Sequence, residues 1–378
     1  MVKFMDRLKE LNCYFRLRRP QNPESNYIDY FFSGSYLEID FPNICCPYDK
    51  IGCCTMCNYG TGNPITDINI LNKQLLLILN KYKSETDILL IGTNGSVLDI
   101  NYFQFDYLCD CLKIINSFSY NTLIFETHFS TITQSVLQLL RKLLPNKKIF
   151  IESGLESSNP IVQKYCYTKP LSLDFIKKKI QLVHESNMQL YINVLLGAPF
   201  LSVRCQKQDC LDTIRWIREQ NCYVVVFPLN IKPFTTIEYM YQKKMYMPIS
   251  MWMLFDILNS FSADELEYID VTWYGNRQDE YVEDNCKTIF PYACNNCANK
   301  LLAFFDKYNN LKKGSERFFL REVFLKEKKL CRCHETYLNA LSSSKNSRNI
   351  EKSIYYLRGL LFHEAILDGI LTEDTNDK

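Results

Sequence analysis

Five cysteines fall within thirteen residues, from Cys45 to Cys57 in CCPYDKIGCCTMC, and thiols at that density bind a metal, do redox work or fill a core. Cys54-Thr55-Met56-Cys57 is a CxxC, a spacing shared by zinc sites, redox dithiols and iron-sulfur clusters. Cys46, eight residues upstream of Cys54, adds a third thiol on a loop that follows a short apolar run, Tyr36 to Phe41. Three is the informative count. A structural zinc closes its tetrahedron with four protein ligands, whereas a cluster that activates a substrate or cofactor leaves one metal open. We expect Cys46, Cys54 and Cys57 to hold three irons of a [4Fe-4S] cluster, with zinc or plain buried cysteines as the alternatives. Cys45 and Cys53 each precede a ligand by one residue and could replace it, but a loop using Cys53 loses the CxxC.

A second group lies late in the chain: Cys286, Cys294, Cys297, Cys331 and Cys333, the last beside His334. Four thiolates drawn from it would close a structural zinc site; an auxiliary iron-sulfur cluster and unliganded cysteines are the other readings. Cys109, Cys111, Cys166, Cys205, Cys210 and Cys222 fall on or near expected helices or a strand start and read as small apolar fillers.

Such loops need a scaffold, and the apolar pattern supplies one. After the cysteine loop, helical and short apolar segments alternate: helix 65–82, strand 87–91, helix 102–118, strand 122–125, helix 131–144, strand 148–151, helix 173–186, strand 189–196, helix 209–219 and strand 223–228. With the strand before the cysteines this makes six βα-type units. The expected fold is α/β, a partial (β/α)6 barrel with its chemistry at the carboxyl ends of the strands. We place an N-terminal helical extension at 1–34, the barrel at 35–247 and a cysteine-containing, α-rich extension at 248–378.

At those strand ends stand Gly92, Thr93, Asn94, Gly95 and Ser96, a turn whose glycines let the main chain approach a polar ligand, and Glu152 to Glu156, two carboxylates around Gly154. Asn193 interrupts an apolar strand, so it must find a partner in the core or on a ligand. His128 is a candidate proton handler, while His184 falls in a helical pattern.

Composition sets limits. The chain has 378 residues and 17 cysteines, and its 44 basic and 42 acidic side chains leave a formal charge of +2, so nothing announces a nucleic-acid binder on average charge. Basic groupings at Arg16, Arg18 and Arg19 and from Lys326 to Arg332 read as solvated surface. No apolar run reaches the length of a membrane span, and the first twenty residues lack a signal-peptide core. We expect no membrane partner and a reducing, cytoplasmic setting, where clustered cysteines more often bind metal than pair.

Taken together, the three-cysteine loop after the first strand, the glycine turn after the second and the polar strand ends resemble the radical S-adenosylmethionine (SAM) superfamily. The longer first gap and CTMC are similar to a smaller group, the radical SAM subunit of archaeosine synthase and its relatives, which also resembles the Elongator catalytic subunit. Gly95-Ser96-Val97-Leu98-Asp99 resembles that group's GSFLD segment, Gly154-Leu155-Glu156 its GLE, and Lys232 to Met247 its segment after strand six, ahead of a Tyr246-Met247-Pro248 stop. Where the group carries an Arg in the cysteine loop, this chain has Pro47-Tyr48-Asp49, and Asn58 replaces a usual Gly.

The resemblance implies a [4Fe-4S] cluster on Cys46, Cys54 and Cys57 that binds SAM and cleaves it to a 5′-deoxyadenosyl radical. It implies Gly92 to Ser96 at the methionine end, Glu152 or Asn193 at the ribose, and backbone near Val225 to Phe227 at the adenine. It also implies a reductant protein, a tRNA substrate and a partner enzyme subunit, with cleavage of a carbon-nitrogen bond in a modified tRNA base. Trp273 and Tyr274 beside Arg277 are the aromatic candidates for nucleic acid. A radical SAM enzyme acting on a peptide or small metabolite, and a non-catalytic zinc-stabilised binding protein, are the competing readings.

Overall fold

In the computed structural model the chain is described over residues 2–19, 27–41, 46–59, 67–100, 105–275, 288–327, 331–344 and 350–372. Helix α1 (Val2–Arg16) precedes a hairpin of β1 (Asp29–Phe32) and β2 (Leu37–Phe41), and the cysteine loop that follows holds one short helix, α2 (Pro47–Lys50). Alternation then runs through α3 (Ile68–Tyr82), β3 (Ile88–Thr93), α4 (Phe105–Asn116), β4 (Thr122–Glu126), α5 (Gln134–Leu143), β5 (Lys148–Glu156), α6 (Pro160–Tyr165), α7 (Leu173–Glu185), β6 (Gln189–Leu196), α8 (Val203–Glu219) and β7 (Tyr223–Pro228). Next come α9 (Thr236–Gln242), α10 (Met251–Leu258), α11 (Ala263–Leu266) and a last strand, β8 (Ile269–Val271). Four helices close the chain: α12 (Asn295–Asn310), α13 (Gly314–Glu327), α14 (Arg332–Ser343) and α15 (Ile350–Leu367).

The eight strands form one sheet in sequence order, antiparallel between β1 and β2 and parallel from β2 to β8. Helical crossovers between neighbouring parallel strands put the helices outside and the strand ends of one polarity at one mouth, an open relative of the (β/α) barrel. The strand period of two then sorts the side chains. Leu89, Ile91, Leu123, Phe125, Leu190, Ile192, Val224 and Val226 are buried among the core residues, while their alternates Leu90, Ile124, Glu126, Glu152, Tyr191, Asn193 and Val225 line the lumen. Each fully buried aliphatic side chain contributes about 1.5–3 kcal/mol relative to exposure, so this outer seam is a main source of stability.

The sheet is larger than the six units expected. Val224–Val226 pair with Ile269–Val271, adding a seventh parallel strand within the segment expected to be an α-rich extension. Three residues are too few for a periodic signal. Its place is held from outside: buried Arg317 of α13 donates to the Leu266 and Ile269 carbonyls and pairs with Asp270 at 2.5 Å. At the other edge β1 lies in the segment expected to be an N-terminal helical extension, folded back at Gly34 with φ +87°. β5 runs on past Ile151 through Ser153-Gly154-Leu155-Glu156, with a bulge between Gly154 and Glu156, where glycine and polar residues end the apolar pattern. No described helix is long and apolar enough to cross a membrane.

Beyond β5, Ser157 donates to the carboxylate of buried Asp209 on α8 at 2.7 Å. Burial pushes that carboxyl up to about 7, the Ser157 bond opposing the shift. Because the folded chain favours the protonated acid, its contribution is fully present below about pH 4 and is lost as pH rises through about 7. Urea midpoints should therefore fall between pH 5 and 8, and Asp209→Asn should remove on the order of 1–4 kcal/mol of that pH dependence. An unchanged slope in the variant would refute the assignment.

Candidate active site at the carboxyl ends of the strands

The cysteine loop leaves β2 and is tied down by its own backbone. Cys46 caps α2, with Pro47 in the first turn, and its amide donates to Tyr59 O at 2.9 Å. The amides of Cys54 and Thr55 both reach Tyr167 O, at 3.1 and 3.4 Å, and Cys54 sits at φ +69°, a conformation that costs a non-glycine residue of order 1 kcal/mol or more. These bonds turn Cys46, Cys54 and Cys57 to one end of a cavity of about 370 Å³ in the barrel lumen. Cys53 takes no part in that wall; its thiol feels Lys9 and Cys13 of α1. Cys45 lies outside the described residues.

Burial holds the Cys46 and Cys54 thiols above their ordinary range and pushes Cys57 up to about 12. Lys232 opposes this at Cys57 and Lys169 at Cys46 and Cys54, its ammonium 2.8 Å from Glu156. Burial works against the ammonium, but Glu156 and Cys54 more than offset it and keep Lys169 charged. His128 stands on the same wall, its Nε2 3.6 Å from Cys46 Sγ and its ring tilted against that of Tyr48 with centroids 4.6 Å apart. Burial, then Lys169, drives its pKa well below the usual value, so His128 is a neutral imidazole.

Thr93, Asn94 and Gly95 line the cavity beside this thiol end. Thr93 donates to Phe41 O at 2.5 Å, fixing the glycine turn to the strand that carries the cysteine loop. Ser96 is buried behind the wall, where its hydroxyl accepts from the His128 amide at 2.8 Å. Gly92 lies under the wall: a Cβ there would come 2.4 Å from Asp40 Oδ1 and 2.9 Å from Glu126 Oε2, so two carboxyls close over the space that glycine leaves. Glu152 and Asn193 face the lumen, as do Val225 and Phe227. His184 is partly buried on α7, away from the cavity.

Asp40, Glu126 and Glu152, all raised by burial and by neighbouring carboxylates, form an acidic layer with Lys232 as its nearby cation. Neither Asp40 nor Glu126 was singled out from the sequence. The signal was present in Leu37-Glu38-Ile39-Asp40-Phe41, where two acids alternate with core residues and so share the lumen face. Lys232 lies 3.6 Å over the Tyr59 ring and 5.6 Å from Trp273, which lines the far wall. Tyr274 is core, its hydroxyl donating to Asp306 at 2.6 Å, and Arg277 lies outside the described residues.

The late cysteines converge on a different place. Cys294 and Cys297 open α12, Cys331 and Cys333 open α14, and the four sulfurs all lie within 4.8 Å of one another. The sulfurs of Cys294 and Cys331 are 3.3 Å apart, those of Cys294 and Cys333 3.6 Å and those of Cys331 and Cys333 3.8 Å. A zinc held by sulfurs at about 2.3 Å puts them about 3.8 Å apart in a tetrahedron, so the set has the size of one metal ion. Hydrogen bonding from Cys331 first, with further help from Cys297, lowers the Cys294 thiol to about 7. Trp252 Nε1 donates to Cys333 Sγ at 3.2 Å and stacks on His334 at 4.3 Å, a supporting shell around the sulfurs. Cys286 lies outside the described residues.

No family model matches the chain. It is 25% identical over 235 residues to archaeosine synthase subunit beta of Thermococcus kodakarensis, covering 60% of this chain and 71% of the relative. To the protein of the same name from Methanosarcina acetivorans it is 22% identical over 231 residues, covering 60% and 67%. Among solved structures, the Elp3 of Methanocaldococcus infernus superposes with a TM-score of 0.46 at 14% identity, over 64% of this chain and 59% of that one. The chain is thus similar to archaeosine synthase beta subunits, the group that its own cysteine loop, glycine turn and GLE segment resemble.

Proposed function

We propose that this chain is a radical SAM enzyme. The observation that carries the reading is the convergence of Cys46, Cys54 and Cys57 on one end of a lumen whose apolar wall is broken by Asp40, Glu126, Glu152 and Asn193, with Lys169 beside the thiols. Three thiols around an open end fit a cluster that keeps one iron for a ligand, and among the described residues no fourth cysteine lines that wall. When bound, cluster and SAM supply one-electron cleavage of the sulfonium and a radical that abstracts a substrate hydrogen; the protein aims them and excludes water. To the amino-acid end of SAM we assign Lys169 and the Thr93-Asn94-Gly95 turn, to the ribose Glu152 or Asn193, and to the adenine the wall at Val225 and Phe227.

For the substrate we propose a tRNA nucleoside, with the carbon-nitrogen bond cleavage that the archaeosine resemblance implies and a partner subunit alongside, since the curated relatives are named as beta subunits. At the late cysteines we propose one zinc, on the sulfur spacing above. Anaerobic reconstitution should yield about four irons and four sulfides per chain. Dithionite and SAM should then release 5′-deoxyadenosine. Zinc without sulfide, and no 5′-deoxyadenosine, would instead make the chain a zinc-stabilised binding protein. Unmodified tRNA precursor should bind the reconstituted chain and weaken steeply with salt; salt-independent or undetectable binding would remove tRNA as substrate.

A further inference from the structure

Arg19 is not surface. It lies just beyond α1, its side chain is 5% exposed, and it forms a buried ion pair with Asp49, which is 1% exposed. Its second terminal nitrogen donates to the other Asp49 oxygen at 3.2 Å and to the carbonyl of Cys57 at 2.9 Å, while Nε donates to Phe234 O at 3.2 Å. One planar fork thus joins the N-terminal segment to both halves of the cysteine loop and to the segment after β7.

A second clamp stands about two turns upstream. Asn12 of α1 donates to Gly52 O at 2.8 Å and accepts from the Thr236 hydroxyl at 2.5 Å. Gly52 has φ +74°, and a Cβ there would stand 2.7 Å from Lys9 O and 2.8 Å from Cys13 Sγ, so the loop is pressed directly onto α1. The residues between Cys46 and Cys57 are therefore held from the side opposite the cavity.

We propose that Arg19 is a positioning residue for the cysteine loop, and that the Arg19–Asp49 pair sets the charge balance felt by a cluster on Cys46, Cys54 and Cys57, an inference that rests on the reading above. Reducing a cluster adds one negative charge. Removing Arg19 takes a positive charge away from the loop and disfavours that added charge; removing Asp49 takes a negative charge away and favours it.

Redox titration of the reconstituted protein, followed by the electron paramagnetic resonance of the reduced cluster, separates this from a merely structural role. Arg19→Gln should lower the midpoint potential, Asp49→Asn should raise it, and the double variant should return towards wild type. Shifts of the same sign in both single variants, or in neither, would overturn the electrostatic part. Hydrogen exchange on the metal-free chain tests the clamp without any cluster. The amides of Cys46, Cys53, Cys54 and Cys57 are internally bonded and should exchange about tenfold faster in Arg19→Gln, with Arg19→Lys intermediate. Unchanged exchange would overturn the clamp. Failure of the wild-type chain to take up iron and sulfide would instead count against the radical SAM reading, leaving the exchange result to stand alone.

Discussion

Cys54→Ala is expected to abolish both iron loading and 5′-deoxyadenosine formation while leaving the far-ultraviolet circular dichroism of the chain unchanged. Among the described residues its thiol is one of three that line the lumen, and no fourth cysteine stands on that wall to replace it. The loop itself is held by backbone bonds, Cys54 and Thr55 to Tyr167 O and Cys46 to Tyr59 O, and by Arg19, none of which needs the sulfur. Alanine also accepts the buried position, since a thiol contributes little more than a small apolar group to packing. The matched control is Cys53→Ala. One residue away and equally buried, it does not line the cavity, and the variant should load about four irons and cleave SAM at close to the wild-type rate. Equal loss in both variants would mean that the loop, and not its ligand set, had failed; retention of iron in Cys54→Ala would displace the assignment itself.

That contrast also shows where sequence reading reached its limit. That Cys46, Cys54 and Cys57 belong to one loop at the strand ends was legible because thiol spacing is a local property, and so were the strands from β2 to β7, because a buried parallel strand is a continuous apolar run. Which of two adjacent cysteines faces the cavity depends on a positive φ at Cys54 and on α1 pressing upon Gly52, and neither leaves a mark in spacing. Arg19 was read as solvent-exposed for the same reason: its partners are 30 and 38 residues away, at Asp49 and Cys57. β8 escaped because its three residues are held by pairing with β7 and by Arg317, 47 residues beyond Asp270, not by a pattern of its own. Asp40 and Glu126 were hidden differently. They are charged residues in strands, a combination that reads as solvent-facing until the sheet curls and makes that face the lumen.

The second large effect is expected at the late cysteines. The purified chain should carry one zinc, and Cys297→Ser should lose it and lower the thermal midpoint by on the order of 5 °C. The argument is mechanical as well as chemical. Cys297 lies in the first turn of α12, and Cys331 and Cys333 at the start of α14, so a shared metal ties two helices whose sequences are 37 residues apart at Cys294 and Cys331. Those helices frame α10 through Trp252, and α12 lies behind β8, so loosening them reaches the edge of the sheet. Zinc bound only by the folded chain stabilises it by mass action, and a serine hydroxyl is too poor a ligand to keep the ion. Iron uptake at Cys46, Cys54 and Cys57 should persist in this variant, because that loop is braced by α1 and Tyr167 and not by α12 or α14. A wild-type preparation with about eight irons and no zinc would make the late group an auxiliary cluster, and a Cys297→Ser chain with unchanged metal and midpoint would leave the four thiols as packing alone.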